Sequence, residues 1–275
     1  MNKVNSSYAI THRGAVRALN EDAHAELNSH NLWVVADGMG GHEAGDYASQ
    51  LVVDVIKSTV QQMPPSALSL SLVIAAIKDA NKQLNEYSSN YLNNKTLGST
   101  VTVLFIKDGF YHVLWAGDSR VYLFRNNTLQ QLSRDHSQVN ELVDEGVISF
   151  AEAKDHPLAN VITRAVGVSS SVEVDTIKNG IQTGDIFLLC SDGLTGELTD
   201  QEISLALGPK NIIDSGMALM HSSLVRGARD NVTFILVKHD DSEVEDKYTC
   251  ENVNNIDELT IPILTRDKNN SIKFT

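Results

Sequence analysis

The sequence predicts an α+β fold built on antiparallel sheets. Two observations point there. Short runs rich in β-branched and aromatic residues come in groups joined by tight turns. Longer amphipathic stretches fall in blocks between those groups, without strict strand–helix–strand alternation.

The strand-like runs are 32–36, 100–106, 111–116, 121–124, 186–190 and 232–238. Lys107-Asp108-Gly109 reads as the hairpin turn between the second and third, because Asp-Gly accepts the left-handed backbone such turns need. Gly117-Asp118-Ser119-Arg120 reads as a second tight connection. Helical patterns cover 46–60, 67–87, 139–145, 149–154, 200–207 and 211–225. Pro64-Pro65 separates the first two, and Thr199-Asp200-Gln201-Glu202 has the form of a capped helix start.

The chain has 275 residues, 42% of them hydrophobic, which is enough for a substantial core. No Pro/Gly-rich linker interrupts residues 1–239, which read as one domain. From 240 to 275 the chain turns polar and acidic (Asp240-Asp-Ser-Glu-Val-Glu-Asp246) and is expected to be a mobile tail. A net charge of −13 gives no attraction to nucleic acid or anionic lipid. No run approaches the length of a membrane span, and the start has no apolar leader, so a cytoplasmic protein is expected. The two cysteines, Cys190 and Cys250, lie in unrelated surroundings, which argues against a structural zinc site. Cys190 closes an apolar run and reads as a core residue.

The stretch Val34-Val-Ala-Asp-Gly-Met-Gly-Gly-His-Glu-Ala-Gly45 carries the first chemical signal. The apolar run stops at Asp37, and four glycines follow. A dinucleotide fingerprint fails because Glu43 stands where its last glycine belongs. A P-loop fails because Asp46 stands where its lysine belongs. A bare carboxylate repels phosphate, so a phosphate site here requires a cation between them. A plain strand-to-turn transition also accounts for Asp-Gly.

Asp37 has counterparts. Asp22 ends Arg17-Ala-Leu-Asn-Glu-Asp22, Asp118 and Asp192 each follow a strand-like run, and Asp230 precedes one. Each taken singly also fits a turn or a helix cap. Together they repeat one device at distant points of the chain. A rim of carboxylates calls for divalent cations, and all-oxygen ligation favours hard ions such as Mg²⁺ or Mn²⁺.

Five stretches in order carry a resemblance: 16–22 (VRALNED), 34–45, 98–104 with 115–122 (GSTVTVL and WAGDSRVY), 188–194 (LLCSDGL) and 229–233 (RDNVT). With Ser133-Arg-Asp-His-Ser137 and 156–167 (HPLANVITRAVG), they resemble the bacterial branch of the PP2C (PPM) metal-dependent Ser/Thr protein phosphatases over residues 8–238. The resemblance implies a four-layer α-β-β-α sandwich of two antiparallel sheets flanked by helices. It implies two Mn²⁺ or Mg²⁺ ions with a third beside them. Asp37 would bridge the pair, Asp192 and Asp230 would hold one ion, and Asp22 with the Gly38 carbonyl would serve the other. Asp118 would hold the third ion, and Arg17 would bind the substrate phosphate.

The implied activity is hydrolysis of phosphoserine and phosphothreonine on proteins by a metal-activated water, without a phosphoenzyme. Met39 stands where eukaryotic members usually carry a proton-donating His, and methionine has no proton to give. His42 is expected to order the loop instead. Residues 135–167 would form a flap beside the cleft. The implied partners are phosphorylated proteins and a cognate Ser/Thr kinase system, with the chain itself a monomer. Two other readings stand beside this one: an inactive phosphoprotein-binding relative, and a two-metal hydrolase of small phosphate esters.

Overall fold

A computed structural model describes residues 3–40, 44–93, 95–153, 156–158, 161–208, 211–241, 264–266 and 272–274. The chain divides into two compact units, Met1–Asp241 and Ser242–Thr275. The first unit begins with β1 (Lys3–His12), β2 (Asp22–Leu27) and β3 (Leu32–Met39), then α1 (Ala44–Gln61) and α2 (Leu70–Tyr91). A run of strands follows: β4 (Gly98–Ser99), β5 (Val101–Lys107), β6 (Phe110–Ala116), β7 (Arg120–Arg125) and β8 (Thr128–Gln131). Two short helices, α3 (Gln138–Asp144) and α4 (Phe150–Ala153), lead to β9 (Asp175–Gly180) and β10 (Ile186–Cys190). The unit closes with α5 (Asp192–Thr195), α6 (Asp200–Ala206), α7 (Ile212–Arg226) and β11 (Val232–Asp241). The second unit holds an antiparallel pair, β12 (Leu264–Arg266) and β13 (Ile272–Phe274). The rest of the expected 240–275 tail lies outside the described residues. β11 itself runs past the expected boundary at 239, pairing Asp240 with Val4 and Asp241 with Lys3.

One sheet has the order β1-β11-β10-β7-β8 and the other β2-β3-β5-β6-β9, with β4 paired to the end of β3. Every pairing is antiparallel. Period-2 alternation sends the two faces of each strand to different layers. Trp33 and Val35 of β3 face Phe187 and Leu189 of β10 in the core between the sheets. Leu32, Val34 and Ala36 point the other way, onto α1 and α2. Leu188, Cys190, Phe234 and Leu236 pack likewise under Leu194, Ile203 and Leu219 of the helices on the opposite side. The result is the four-layer α-β-β-α sandwich that the resemblance implies.

The six strands legible in sequence are β3, β5, β6, β7, β10 and β11, all interior to their sheets. In the two sheets of the sandwich, the four edge strands β1, β2, β8 and β9 are missed by sequence reading, as is the two-residue β4. Interior strands are apolar on both faces, whereas an edge strand such as β9 (DTIKNG) is mostly exposed and lacks the alternation that marks a strand. The 107–109 turn forms as expected, with Asp108 (φ 51°) and Gly109 (φ 78°) both left-handed. Thr199 caps α6 in a reciprocal capping box with Glu202. Cys190 is fully buried, and burial pushes its thiol up to about 12, so it is an inert core residue. No helix among the described residues is long and apolar enough to cross a membrane.

Phe187 is fully buried between the sheets, with its ring edge-on to Tyr111 at 5.0 Å. Phe187→Ala leaves a cavity there and is expected to lower stability by about 3–5 kcal/mol. Urea unfolding of the two proteins measures the loss, and a loss below about 1 kcal/mol would place this ring outside the essential core.

Candidate active site

The aspartates meet at one rim of the sandwich. Asp22 opens β2 and sits directly across the ladder from Asp37 of β3. Asp37 does not end its strand, as the sequence suggests. β3 continues through Gly38 and Met39, which pair with Ser99 and Gly98 of β4. Asp37 therefore stands where β3 changes partner from β5 to β4, and its main chain is held from both sides. Its N–H donates to Thr100 Oγ1 (2.9 Å), and its carbonyl accepts from Thr100 N–H (2.8 Å) and Ser99 Oγ (3.0 Å). Gly38 is required for space: a Cβ there would stand 1.9 Å from the Gly45 carbonyl oxygen and 2.7 Å from that of Glu21. Its N–H donates to Glu21 O at 2.9 Å, tying β3 to the segment before Asp22.

Asp192 begins α5, immediately after β10, where its carboxyl group interacts electrostatically with that of Asp37. Asp118 lies in the β6–β7 turn. Asp230 precedes β11 and accepts from Arg17 Nη2 at 2.6 Å. The Arg17 loop is stapled in place by Asn231. Its Nδ2 donates to Arg13 O (2.7 Å) and Leu19 O (2.9 Å), while its Oδ1 accepts from Glu21 N–H (2.8 Å).

The electrostatics are those of crowded like charges. Burial, then Asp22, Asp192, Asp118 and Asp230 in that order, hold the Asp37 carboxyl well above the ordinary carboxylate range. Burial first, with Asp192 and Asp230, raises Asp22 to about 7, although hydrogen bonds from Thr233 and Ser191 oppose it. Burial and then Asp192 raise Asp118 to about 7. Burial and Asp230 raise Asp192 as well. Among the described residues, Asp22 Oδ1 and Asp118 Oδ1 are buried without a hydrogen-bond partner. Unpaired buried carboxylate oxygens are costly, and a cation satisfies them.

Residues 11–223 match a family model described as protein phosphatase 2C. The chain belongs to the protein phosphatase 2C family. A serine/threonine phosphatase, stp, from Listeria monocytogenes serotype 4b is 36% identical over 84% of this chain and 94% of its own length. The solved Mycobacterium tuberculosis serine/threonine phosphatase PstP/Ppp superposes with a TM-score of 0.81 at 34% identity, covering 86% of this chain and 100% of that one. A catalytic domain of PstP solved with 2 manganese ions superposes with a TM-score of 0.78 at 33% identity, covering 87% and 100%.

Membership of this metal-dependent family makes a divalent cation the group to test against the residues present. The donors are carboxylates and main-chain oxygens, the chemistry of a hard ion. Among the described residues, no three His, Cys, Asp or Glu side chains close a ligand cage by themselves. Coordination here must include water or main-chain oxygen, which hard ions accept readily. The two orphaned carboxylate oxygens and the mutually raised aspartates fit such an ion.

Sequence reading names the carboxylates and misses what holds them. Thr100 bridges two parts of the site, since its Oγ1 also bonds Ser119 Oγ at 2.7 Å, next to Asp118. Ser191 Oγ donates to Asp22 Oδ2 (2.8 Å) and accepts from Thr233 N–H (3.0 Å). Arg120 donates three times to Asp135, anchoring the Asp118 turn to the start of the flap. Each of these polar residues sits inside or beside a motif that sequence reading quotes, and Thr100, Ser119 and Ser191 are buried. A hydroxyl flanked by an apolar run was the available signal. A cleft of about 700 Å³ runs from Asp118 and Asp192 past Asp135 and Val139 towards α4 and α6. Gly41, His42 and Glu43 lie outside the described residues, and so do positions 154–155 and 159–160 of the flap.

Proton and cation compete for these carboxylates. The unfolded chain ionises Asp22 and Asp118 near 3.8, while the folded chain without cations keeps them protonated up to about 7. Metal-stripped protein should therefore lose stability as pH rises through that window. Mn²⁺ should raise the melting temperature more at pH 7.5 than at pH 5, because fewer protons must be displaced. Thermal melts with and without Mn²⁺ at both pH values check this, and a larger shift at pH 5 would contradict it.

Proposed function

We propose that the chain hydrolyses phosphoserine and phosphothreonine monoesters on proteins, using Mn²⁺ or Mg²⁺ held by the aspartate rim. The observation that carries this reading is the placement of Asp22 directly opposite Asp37, with Asp192 beside them, in a chain that shares its family with named Ser/Thr phosphatases. Divalent cations at such a rim supply a water of lowered pKa and offset charge on the phosphoryl oxygens. Asp37, Asp192 and Asp230, with Asp22 and the Gly38 carbonyl, would hold two such ions, and Asp118 would hold a third.

The chain's own groups do the positioning. Arg17 is half exposed at the rim, and one of its five N–H donors is engaged by Asp230. The remaining fork suits two oxygens of a phosphate. Asp230 thus aims Arg17 while sharing in the metal set. The Ser191 hydrogen bond fixes which way the Asp22 carboxylate turns. Cys190 is buried and protonated, so no thiolate beside the site serves as nucleophile. The expected partners are phosphorylated proteins and a Ser/Thr kinase acting on the same targets, and the chain is taken to act as a monomer.

A phosphothreonine-peptide assay tests the reading. Turnover should require Mn²⁺ or Mg²⁺ and stop in excess EDTA. Asp37→Ala and Asp192→Ala should each reduce it by at least about 10³-fold, since each removes a metal ligand. Full turnover in EDTA after metal stripping would refute metal dependence. A strong preference for nucleotide or sugar phosphates over phosphopeptides would favour the small-ester reading, and no turnover on either would favour a phosphoprotein-binding role.

The phosphatase domain is proposed to end with β11, leaving residues 242–275 outside the chemistry. A chain truncated after Asp241 should unfold cooperatively and dephosphorylate a short phosphopeptide at close to the full-length rate. Loss of cooperative unfolding on truncation would make the C-terminal residues part of the core.

A further inference from the structure

The Asp118 turn is gripped from behind by one imidazole. Gly117 N–H donates to His136 Nδ1 at 3.0 Å, and His136 N–H donates to the Gly117 carbonyl at 3.0 Å. Gly117 has φ 115°, and a Cβ there would stand 2.6 Å from Thr100 Cβ, so no other residue fits this position. Because Nδ1 accepts, the ring proton sits on Nε2, which donates to Asp175 Oδ2 at 3.2 Å. Asp175 Oδ1 in turn accepts from Arg164 Nη1 at 2.6 Å. His136 also carries the flap on its main chain: its carbonyl accepts from Thr163 N–H at 2.9 Å, and Gln138 N–H donates to Val161 O at 2.9 Å. The ring lies parallel to Trp115, with an interplanar angle of 12°. Burial lowers the pKa of His136, in keeping with a neutral ring that has one donor and one acceptor nitrogen.

We infer that His136 is a positioning residue. Its Nδ1 sets the Gly117–Asp118 turn, and its Nε2 and carbonyl tie that turn to Asp175 and the flap segment 161–164. The ion at Asp118 and the flap are then coupled through one ring. This inference rests on the proposed cation role of Asp118, and it adds a residue that touches neither ion nor substrate. Metal ligands held by an ordered outer shell typically lose about 10–100-fold in affinity when that shell is broken.

Two substitutions separate the roles of the ring. His136→Asn places an amide oxygen near the Nδ1 position and can still accept from Gly117, but it cannot reach Asp175. His136→Gln places its amide near the Nε2 position and leaves Gly117 N–H without its acceptor. Mn²⁺ binding to the metal-stripped full chain, followed by calorimetry, is compared for wild type, both His136 variants and Asp118→Asn. Asp118→Asn should abolish the weakest binding event. His136→Gln should weaken that same event about tenfold or more and spare the tighter ones, while His136→Asn stays near wild type.

Equal weakening in both His136 variants would reduce the ring to packing against Trp115 and overturn the inference. A loss in Asp118→Asn with no change in His136→Gln would overturn it alone, leaving the Asp118 assignment intact. Unchanged binding in Asp118→Asn would remove the ion from Asp118, and the inference with it. Nitrogen NMR of the wild-type ring gives a readout that needs neither variant. It should show a bare Nδ1 and a protonated Nε2, and the opposite tautomer would refute the arrangement.

Discussion

The repulsion among Asp22, Asp37, Asp118 and Asp192 is the constraint around which the rest is arranged. Four carboxyl groups share one rim; burial raises each of them, and neighbouring carboxylates add to it. Such a group is unfavourable to fold unless something positive arrives. A lysine or arginine inserted among them would relieve the strain and take the place of the ion. Arg120, half-buried next to Asp118, is instead committed to Asp135 by three hydrogen bonds. The negative potential is thereby kept for a ligand.

The scaffold holds the charges in place without neutralising them. Hydroxyls and main-chain amides surround the carboxylates, and they orient lone pairs while leaving the charge in place. Thr100, Ser119, Ser191 and Thr233 are all but fully buried, an unusual concentration of hydroxyls at a sheet end. Because both sheets are packed on both faces, their ends do not move independently. β2 and β3 bring Asp22 and Asp37, while β10 and β11 bring Asp192 and Asp230 from the opposite sheet. The cleft is a seam between two rigid bodies that share one core.

Much of this was legible in the sequence, for physical reasons that differ by element. Interior strands announce themselves because both their faces must be apolar. Edge strands do not, and β1, with Asn5, Ser6 and Ser7 in its first half, reads as polar coil until Tyr8 and Ile10 are seen to pack on the helix side. The carboxylates were legible because the same placement recurs beside glycine at distant points of the chain. Their supports were not: a serine that orients Asp22 and a serine on the surface look alike in one dimension. His136 lies within the quoted Ser133–Ser137 stretch, but only the folded chain puts its ring behind Gly117. The end of β3 was misplaced by three residues, because the pairing of Gly38 and Met39 with the two-residue β4 is a long-range event.

The longest ladder of the sandwich pairs β1 with β11 over their full length. Its near end, His12 and Val232, lies beside Thr233, whose N–H donates to the Ser191 hydroxyl that holds Asp22, and its far end joins Lys3 to Asp241. Ten residues of strand separate the two ends, roughly 30 Å at the usual rise. Both ends of the catalytic unit thus emerge side by side, on the rim away from the cleft. A fluorophore, a surface anchor or a fused module placed beside Lys3 or Asp241 meets the sandwich at that remote edge. The sandwich can be immobilised by its ends with its mouth turned outward, an orientation suited to working on large protein substrates.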